Sequence, residues 1–171
     1  MKNIELKVKA PNLSKIKPVL KKIGAKYVET LKQVDTYYKC NEGRLKTREI
    51  NNNNFELIFY RRENKKESKI SDYEILKMSY PHRQKYKNIL NEIFGKVVVV
   101  KKERLLWIYK NTRINLDCVE DLGNFLELET IVSDTLSKAK KEYKEITDYL
   151  NISNFKKIAS SYSDLLILAK P

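Results

Sequence analysis

A single histidine, His82, and two cysteines, Cys40 and Cys118, are all the imidazole and thiolate metal ligands that 171 residues offer. The cysteines stand alone, without CxxC spacing, so neither a zinc site nor a disulfide scaffold is expected. A Ser-His-Asp triad would have to use His82, and no nucleophile motif accompanies it. We read His82 as a first-turn residue of a surface helix with no catalytic part. Glycine and proline are scarce, four of each, so few positions break the chain. No linker or internal repeat divides it. No apolar run approaches the length that spans a bilayer. The first residues enter a patterned segment at once (Asn3-Ile4-Glu5-Leu6-Lys7-Val8), which leaves no place for a signal-peptide core. These absences point to one domain over residues 1–171 in a reducing cytoplasm, without a membrane partner.

Charge is abundant instead. Charged residues make up 33% of the chain and the formal net charge is +13. A basic chain suits a polyanionic partner, but a solvated lysine-rich surface gives the same total. The placement of the charges decides. Four segments have helical spacing. Asn12 caps the first (Leu13, Ile16, Leu20, Ile23), and Gly24 ends it. Pro81 opens the second, with Tyr86, Ile89, Leu90, Ile93 and Phe94 on one face and Gly95 as its stop. Ser133 or Asp134 caps the third (Leu136, Ala139, Tyr143, Ile146, Leu150), and a fourth starts near Asn154. Elsewhere the period falls to two. Strands are predicted over 3–10, 26–39, 44–50, 55–62, 70–76, 97–109, 112–119 and 125–132. Turns are expected at Asn51–Asn54 and Asn111-Thr112, and a solvated lysine-rich loop over Glu63–Lys69. Many strands, short links and flanking helices give an α+β domain on an antiparallel sheet.

Side chains alternate faces along a strand. Strand one then sets Ile4, Leu6, Val8 and Ala10 against Asn3, Glu5, Lys7 and Lys9. The same parity groups Arg44, Lys46 and Arg48; Leu57, Phe59 and Arg61; Asp72 and Glu74; Lys102 and Arg104; Arg113, Asn115 and Asp117; Glu127 and Glu129. One such strand merely suggests a wet outer face. Rows of like charge are different, because neighbouring strands ordinarily mix signs. Nine cations and six carboxylates on one face suit a metal–polyphosphate complex. Carboxylates are the hard ligands that Mg2+ or Mn2+ takes, and Arg and Lys neutralise phosphate oxygens. If the sheet closes, the charged face becomes the interior of a barrel. Tyr37, Tyr38, Trp107 and Tyr109 are read as core or rim packing rather than as a base-stacking platform.

These residues resemble the CYTH superfamily, the triphosphate tunnel metalloenzymes, which includes class IV adenylate cyclases, thiamine triphosphatases and inorganic triphosphatases. Asn3-Ile4-Glu5-Leu6-Lys7 stands where that family has Glu-x-Glu-x-Lys. Asp35-Thr36-Tyr37-Tyr38, Gly43-Arg44-Leu45-Lys46-Thr47-Arg48-Glu49, Lys102-Glu103-Arg104, Leu116-Asp117-Cys118-Val119 and Leu122-Gly123 with Phe125-Leu126-Glu127-Leu128-Glu129 follow in the family's order. Ser161-Tyr162-Ser163-Asp164-Leu165-Leu166 is similar to a C-terminal segment of its cyclase-like members, the branch that looks closest. The resemblance implies a closed or nearly closed eight-stranded antiparallel barrel with flanking helices. It implies triphosphate contacts from Lys7, Arg44, Lys46, Arg48, Arg61, Lys102, Arg104 and Arg113, and Mg2+ or Mn2+ held by Glu5 and at least one of Glu127 and Glu129, with Asp117 as a weaker candidate. Asn3 departs from the hallmark and leaves that cluster one charge short. The expected partner is a nucleoside triphosphate or inorganic polyphosphate, the expected assembly a monomer or homodimer. The expected activity is an adenylate cyclase-like or triphosphate-hydrolysing reaction, with a non-catalytic binder as the alternative. No RRM, KH or OB signature points to nucleic acid. Arg104→Ala is expected to weaken tripolyphosphate binding and leave the fold intact.

Overall fold

The computed structural model describes residues 2–61 and 69–169. The expected lysine-rich loop lies outside the described residues, except that Lys69 begins a strand. Eight strands form: β1 (Lys2–Lys9), β2 (Lys26–Tyr38), β3 (Arg44–Ile50), β4 (Asn54–Arg61), β5 (Lys69–Met78), β6 (Lys96–Tyr109), β7 (Thr112–Val119) and β8 (Gly123–Ile131). They close into a barrel in the order β1-β5-β4-β3-β2-β6-β7-β8. Every pairing is antiparallel. Asn51 and Asn52 adopt φ of 51° and 57° and make the β3–β4 turn, as expected of asparagine. Between β6 and β7 the residue with positive φ is Lys110 rather than Asn111. Gly43, at φ +75°, leads into β3, and a Cβ there would meet the Tyr60 carbonyl oxygen at 2.8 Å. Only glycine fits that approach.

The apolar parity predicted for β1, β7 and β8 lies outside the barrel, covered by helices. Leu6, Val8, Ile114, Leu116, Leu126 and Leu128 pack with Leu20 of α1 (Ile16–Lys22) and Ile146 of α3 (Leu136–Tyr149). Asn12 caps the short 3-10 turn ahead of α1, its Oδ1 accepting from Ser14 N at 3.0 Å. Thr135, one residue beyond the expected caps, serves α3 by accepting from Lys138 N. The second predicted helix is α2 (Arg83–Phe94), opened by a 3-10 turn that contains Pro81 and stopped at Gly95. Its apolar stripe is not buried: Ile89, Ile93 and Phe94 are exposed, while Tyr86 stacks on Phe55 with ring centroids 6.0 Å apart.

The last helix departs most from expectation. α4 spans Tyr162–Leu168 and does not start near Asn154. A 3-10 turn covers Ile152–Asn154, and the chain then runs extended, bridging Lys157 to Val8. Ser161 caps α4 through a capping box with Asp164. Tyr162 and Leu166 enter the barrel and pack on Tyr37, Val98, Val100, Val119 and Phe125. Those residues sit at the end of β2, the start of β6, the end of β7 and the start of β8, which is one end of the barrel. Thus α4 closes that end.

Candidate functional site

The barrel encloses a cavity of about 290 Å³. Every strand contributes to its lining, because alternate residues must point inward once the sheet is closed. From β1 come Asn3, Glu5 and Lys7; from β3, Lys46 and Arg48; from β6, Lys102 and Arg104; from β7, Arg113 and Asn115; from β8, Glu127 and Glu129. These match the predicted parity.

Charges inside the tunnel separate by sign. On the β2–β3–β6 side Asp35 is enclosed by three cations. Its Oδ2 accepts from Lys46 Nζ at 2.8 Å and from Lys102 Nζ at 3.2 Å. Arg48 grips both its oxygens, Nε to Oδ1 at 2.7 Å and Nη2 to Oδ2 at 2.8 Å. Burial pushes the Asp35 carboxyl up, but Arg48, Lys102 and Lys46 together hold it well below the usual carboxylate range. Burial, joined by Arg48, Arg104 and Lys46 and opposed by Asp35, holds the Lys102 ammonium down to about 7. One carboxylate therefore serves two buried lysines and the half-buried Arg48.

On the β1–β7–β8 side the carboxylates gather around Arg104. Its Nε and Nη2 donate to the two oxygens of Asp117, each at 2.7 Å. Nη2 also reaches Glu127 Oε2 at 2.5 Å, and Nη1 reaches Glu129 Oε1 at 3.5 Å. Lys7 Nζ lies 3.3 Å from Glu127 Oε1. Glu5 and Glu129 are direct cross-strand partners. Burial raises the Glu129 carboxyl, and Glu127 and Glu5 add to the rise against Arg104 and Arg113. Asn3 is 3% exposed, and its Oδ1 has no hydrogen-bond partner among the described residues. A buried acceptor left unpaired is costly and marks a place for a donor or a cation.

Several predicted positions fall elsewhere. On β4 the inward residues are Ile58 and Tyr60, so Arg61 faces outward, its side chain 68% exposed and 3.8 Å from Glu42. On β5 Tyr73 and Ile75 point inward, and Glu74 is exposed; the Asp72 side chain lies outside what the structure describes. Lys9 lies over the Phe125 ring and donates to the Leu122 carbonyl near the closed end. Arg44 is bound to Asp164 at 2.8 Å beside α4, apart from the main cavity lining. Asp117, considered above as a metal ligand, has both oxygens taken by Arg104 and Tyr162. Trp107, Tyr38 and Tyr37 are core, as expected, and Tyr37 lines the tunnel as well. Sequence reasoning assigned no role to Asp35 or Tyr162. The signal for Asp35 was its parity with Gln33 and Tyr37, and its partner in register is Arg48.

Among the described residues no three His, Cys, Asp or Glu side chains converge closely enough to hold one ion by themselves. Glu5, Glu129 and the unpaired Asn3 oxygen are hard oxygen donors that all line the tunnel, Glu5 directly opposite Glu129 in register. Mg2+ is commonly held by one or two carboxylates together with substrate phosphates and water, and such a donor set fits that habit. No helix among the described residues is long and apolar enough to cross a membrane.

Comparison with known proteins agrees with this geometry. The model of the CYTH domain family matches residues 1–162. A protein of Methanocaldococcus jannaschii named "putative adenylate cyclase" is 31% identical, over 96% of this chain and 98% of its own. A solved Pyrococcus horikoshii protein superposes with a TM-score of 0.80 at 24% identity, covering 95% of this chain and 98% of that one. A solved structure from Vibrio parahaemolyticus, titled "putative adenylate cyclase", gives 0.73 at 17% identity, with 96% and 97% covered. At these identities the two structures carry the fold alone.

Proposed function

Because the chain belongs to the CYTH domain family, we propose that its tunnel is the active site of a metal-dependent enzyme acting on a triphosphate-containing substrate. The observation that carries this reading is the trio Lys46, Arg48 and Lys102 sharing the single carboxylate of Asp35 in a buried space. Such an excess of buried cations is costly without a further anion. A phosphate chain supplies it. The carboxylate cluster across the tunnel supplies the complementary site for the cation that accompanies a triphosphate. Glu5 and Glu129 would hold Mg2+ or Mn2+ with the Asn3 amide oxygen beside them, and the ion would neutralise phosphate charge during transfer. Lys7, Lys46, Arg48, Lys102, Arg104 and Arg113 would bind and orient the phosphates. Whichever phosphorus reacts, these residues hold it in line with its attacking group.

Two reactions suit this arrangement. In a cyclase the 3′-hydroxyl of ATP attacks the α-phosphorus and pyrophosphate leaves. In a triphosphatase water attacks the terminal phosphorus. The adenylate cyclase names among its relatives favour the first. A non-catalytic polyphosphate binder would share the site and show no turnover. We place the protein in the cytoplasm as a single domain, monomeric or homodimeric. Incubation with ATP, thiamine triphosphate and tripolyphosphate, each with Mg2+ or Mn2+, followed by product identification, tests the proposal. Cyclic AMP or inorganic phosphate is the expected product. Tight binding without any product would leave the binder, and no binding would remove the triphosphate reading.

Lys102 gives this reading a pH signature. Its ammonium titrates near 7 in the folded protein, against 10.5 ordinarily. Between those values the folded state holds fewer protons at this site than the unfolded state. The stability of the ligand-free protein therefore rises with pH through that window. A phosphate beside Lys102 favours the charged form, so binding takes up a proton there and weakens as pH rises. Calorimetric titration with tripolyphosphate at about pH 8.5, in buffers of different ionisation enthalpy, should show up to ~1 more proton taken up by wild type than by Lys102→Met. Equal uptake in the two proteins would remove Lys102 from the phosphate contacts.

A further inference from the structure

The C-terminal motif Ser161-Tyr162-Ser163-Asp164 has no part in the phosphate contacts above, yet its side chains reach the residues that make them. Tyr162 is 5% exposed and stands in the first turn of α4. Lys7 Nζ lies 4.0 Å from the centroid of its ring, and Lys102 Nζ lies 5.7 Å from it. The tyrosine hydroxyl donates to Asp117 Oδ2 at 2.7 Å. Asp117 in turn grips Arg104 through both oxygens. Burial, with Asp117 and Glu127, raises the Tyr162 hydroxyl well above its ordinary value, so it stays protonated and donating. The turn that carries Tyr162 is itself fixed. Ser161 and Asp164 close the capping box, Asp164 binds Arg44, and the Tyr162 ring meets Phe125 edge-on at 5.0 Å.

Lysine is a flexible point charge, and ordering its long stem costs entropy. An aromatic face both restricts an ammonium and compensates part of its lost hydration, most strongly where water is excluded. Here one ring faces lysines from β1 and β6, while its hydroxyl secures the carboxylate that orients Arg104. We propose that Tyr162 is a positioning residue of the triphosphate site, its ring setting Lys7 and Lys102 and its hydroxyl setting Arg104 through Asp117; this rests on the triphosphate reading above. By this account the C-terminal helix does more than close the barrel. It holds three phosphate-binding cations from two strands in one constellation, without touching substrate.

Ring and hydroxyl can be tested separately. Tyr162→Phe removes only the hydroxyl. Replacing Tyr162 by phenylalanines carrying one, two and three ring fluorines then weakens the negative face of the ring with little change of shape. Calorimetric affinity for tripolyphosphate with Mg2+, and the melting temperature, are measured for each protein. Tyr162→Phe should bind a few-fold more weakly than wild type, and affinity should fall stepwise by about tenfold along the fluorine series while the melting temperature holds. Tyr162→Leu should lie at the weak end, with Tyr162→Phe recovering most of the loss. A flat or rising fluorine series in protein that binds tripolyphosphate would overturn the positioning role and leave Tyr162 a structural plug. Absence of binding by wild type would overturn the triphosphate reading, and this inference with it.

Discussion

Replacing Arg104 by alanine should destabilise the protein by about 3–5 kcal/mol, the cost of removing one partner from a buried ionic network. The sequence alone suggested a phosphate ligand whose loss would spare the fold. The structure gives Arg104 a second task. Arg104 is 7% exposed, and its guanidinium bonds to Asp117, Glu127 and Glu129 at once. Without it those carboxylates keep Lys7, Arg113, Asn115 and Tyr162 as neighbours but lose the charge at their centre. The Glu129 carboxyl, already raised by burial against the pull of Arg104, would then rise further in the folded state. The variant should accordingly gain stability as pH falls through the range just above the ordinary carboxylate values, because its folded state binds more protons than its unfolded state there. Mn2+ should restore part of the loss at neutral pH by taking the vacated charge position. A melting temperature within about 2 °C of wild type, where about 10 °C of loss is expected for a chain of this size, would show that the network adds no net stability. If melting falls but Mn2+ restores nothing, the carboxylates are not a cation site.

Arg104 also shows what a sequence reveals and what it withholds. The barrel was legible because β1, β7 and β8 keep a clean period of two over most of their length, apolar towards the helices and polar towards the tunnel, and β3 carries its cations in one row. On β6 only Lys102 and Arg104 mark the tunnel side, since Val98, Val100 and Leu106 share it. The rule fails on β4 and β5. Ile58 and Ile75 point into the tunnel, so apolar residues occur on both faces and parity no longer separates inside from outside. Arg61 and Glu74 were misplaced for that reason. Asp35 was hidden differently. An acid in a mixed strand looks like surface, and it becomes the centre of three cations only when β2 lies in register between β3 and β6. Tyr162 depends on contacts that span 45 residues, Tyr162 to Asp117, and more. Local pattern carries no trace of them. The late start of α4 was legible in principle, since Ser161-x-x-Asp164 is a capping signature. Ile158 masked it by extending the apolar spacing backwards into a segment that pairs with β1.

The substitution Asn3→Glu should tighten Mn2+ binding by about tenfold, because affinity for a hard divalent cation follows ligand charge and number. Strand parity alone puts Asn3 on the face of Glu5 and Lys7, and the structure fixes its surroundings. Asn3 is 3% exposed, it lines the tunnel beside Glu5, and its Oδ1 is unpaired among the described residues. Cross-strand pairing sets Asn3 opposite Ile131 and Glu5 opposite Glu129, so position 3 lies diagonal to Glu129. On an antiparallel pair such diagonal neighbours remain within reach of long side chains. A carboxylate at position 3 would join Glu5 and Glu129, and the three would repel one another until a cation arrives. Two effects of opposite sign follow. Metal-free Asn3→Glu should melt below wild type, and saturating Mn2+ should bring it level or above. Wild type, one charge short, should depend more on a bound triphosphate to complete its metal site, so tripolyphosphate should lower its Mn2+ midpoint by a larger factor than that of Asn3→Glu. Titration of Mn2+ into both proteins, with and without tripolyphosphate, measures all four midpoints. Glu5→Gln, which removes a neighbouring ligand and preserves its shape, should raise the midpoint in either background. Equal midpoints for wild type and Asn3→Glu would exclude position 3 from the metal site, and an unchanged midpoint in Glu5→Gln would exclude β1 from it altogether.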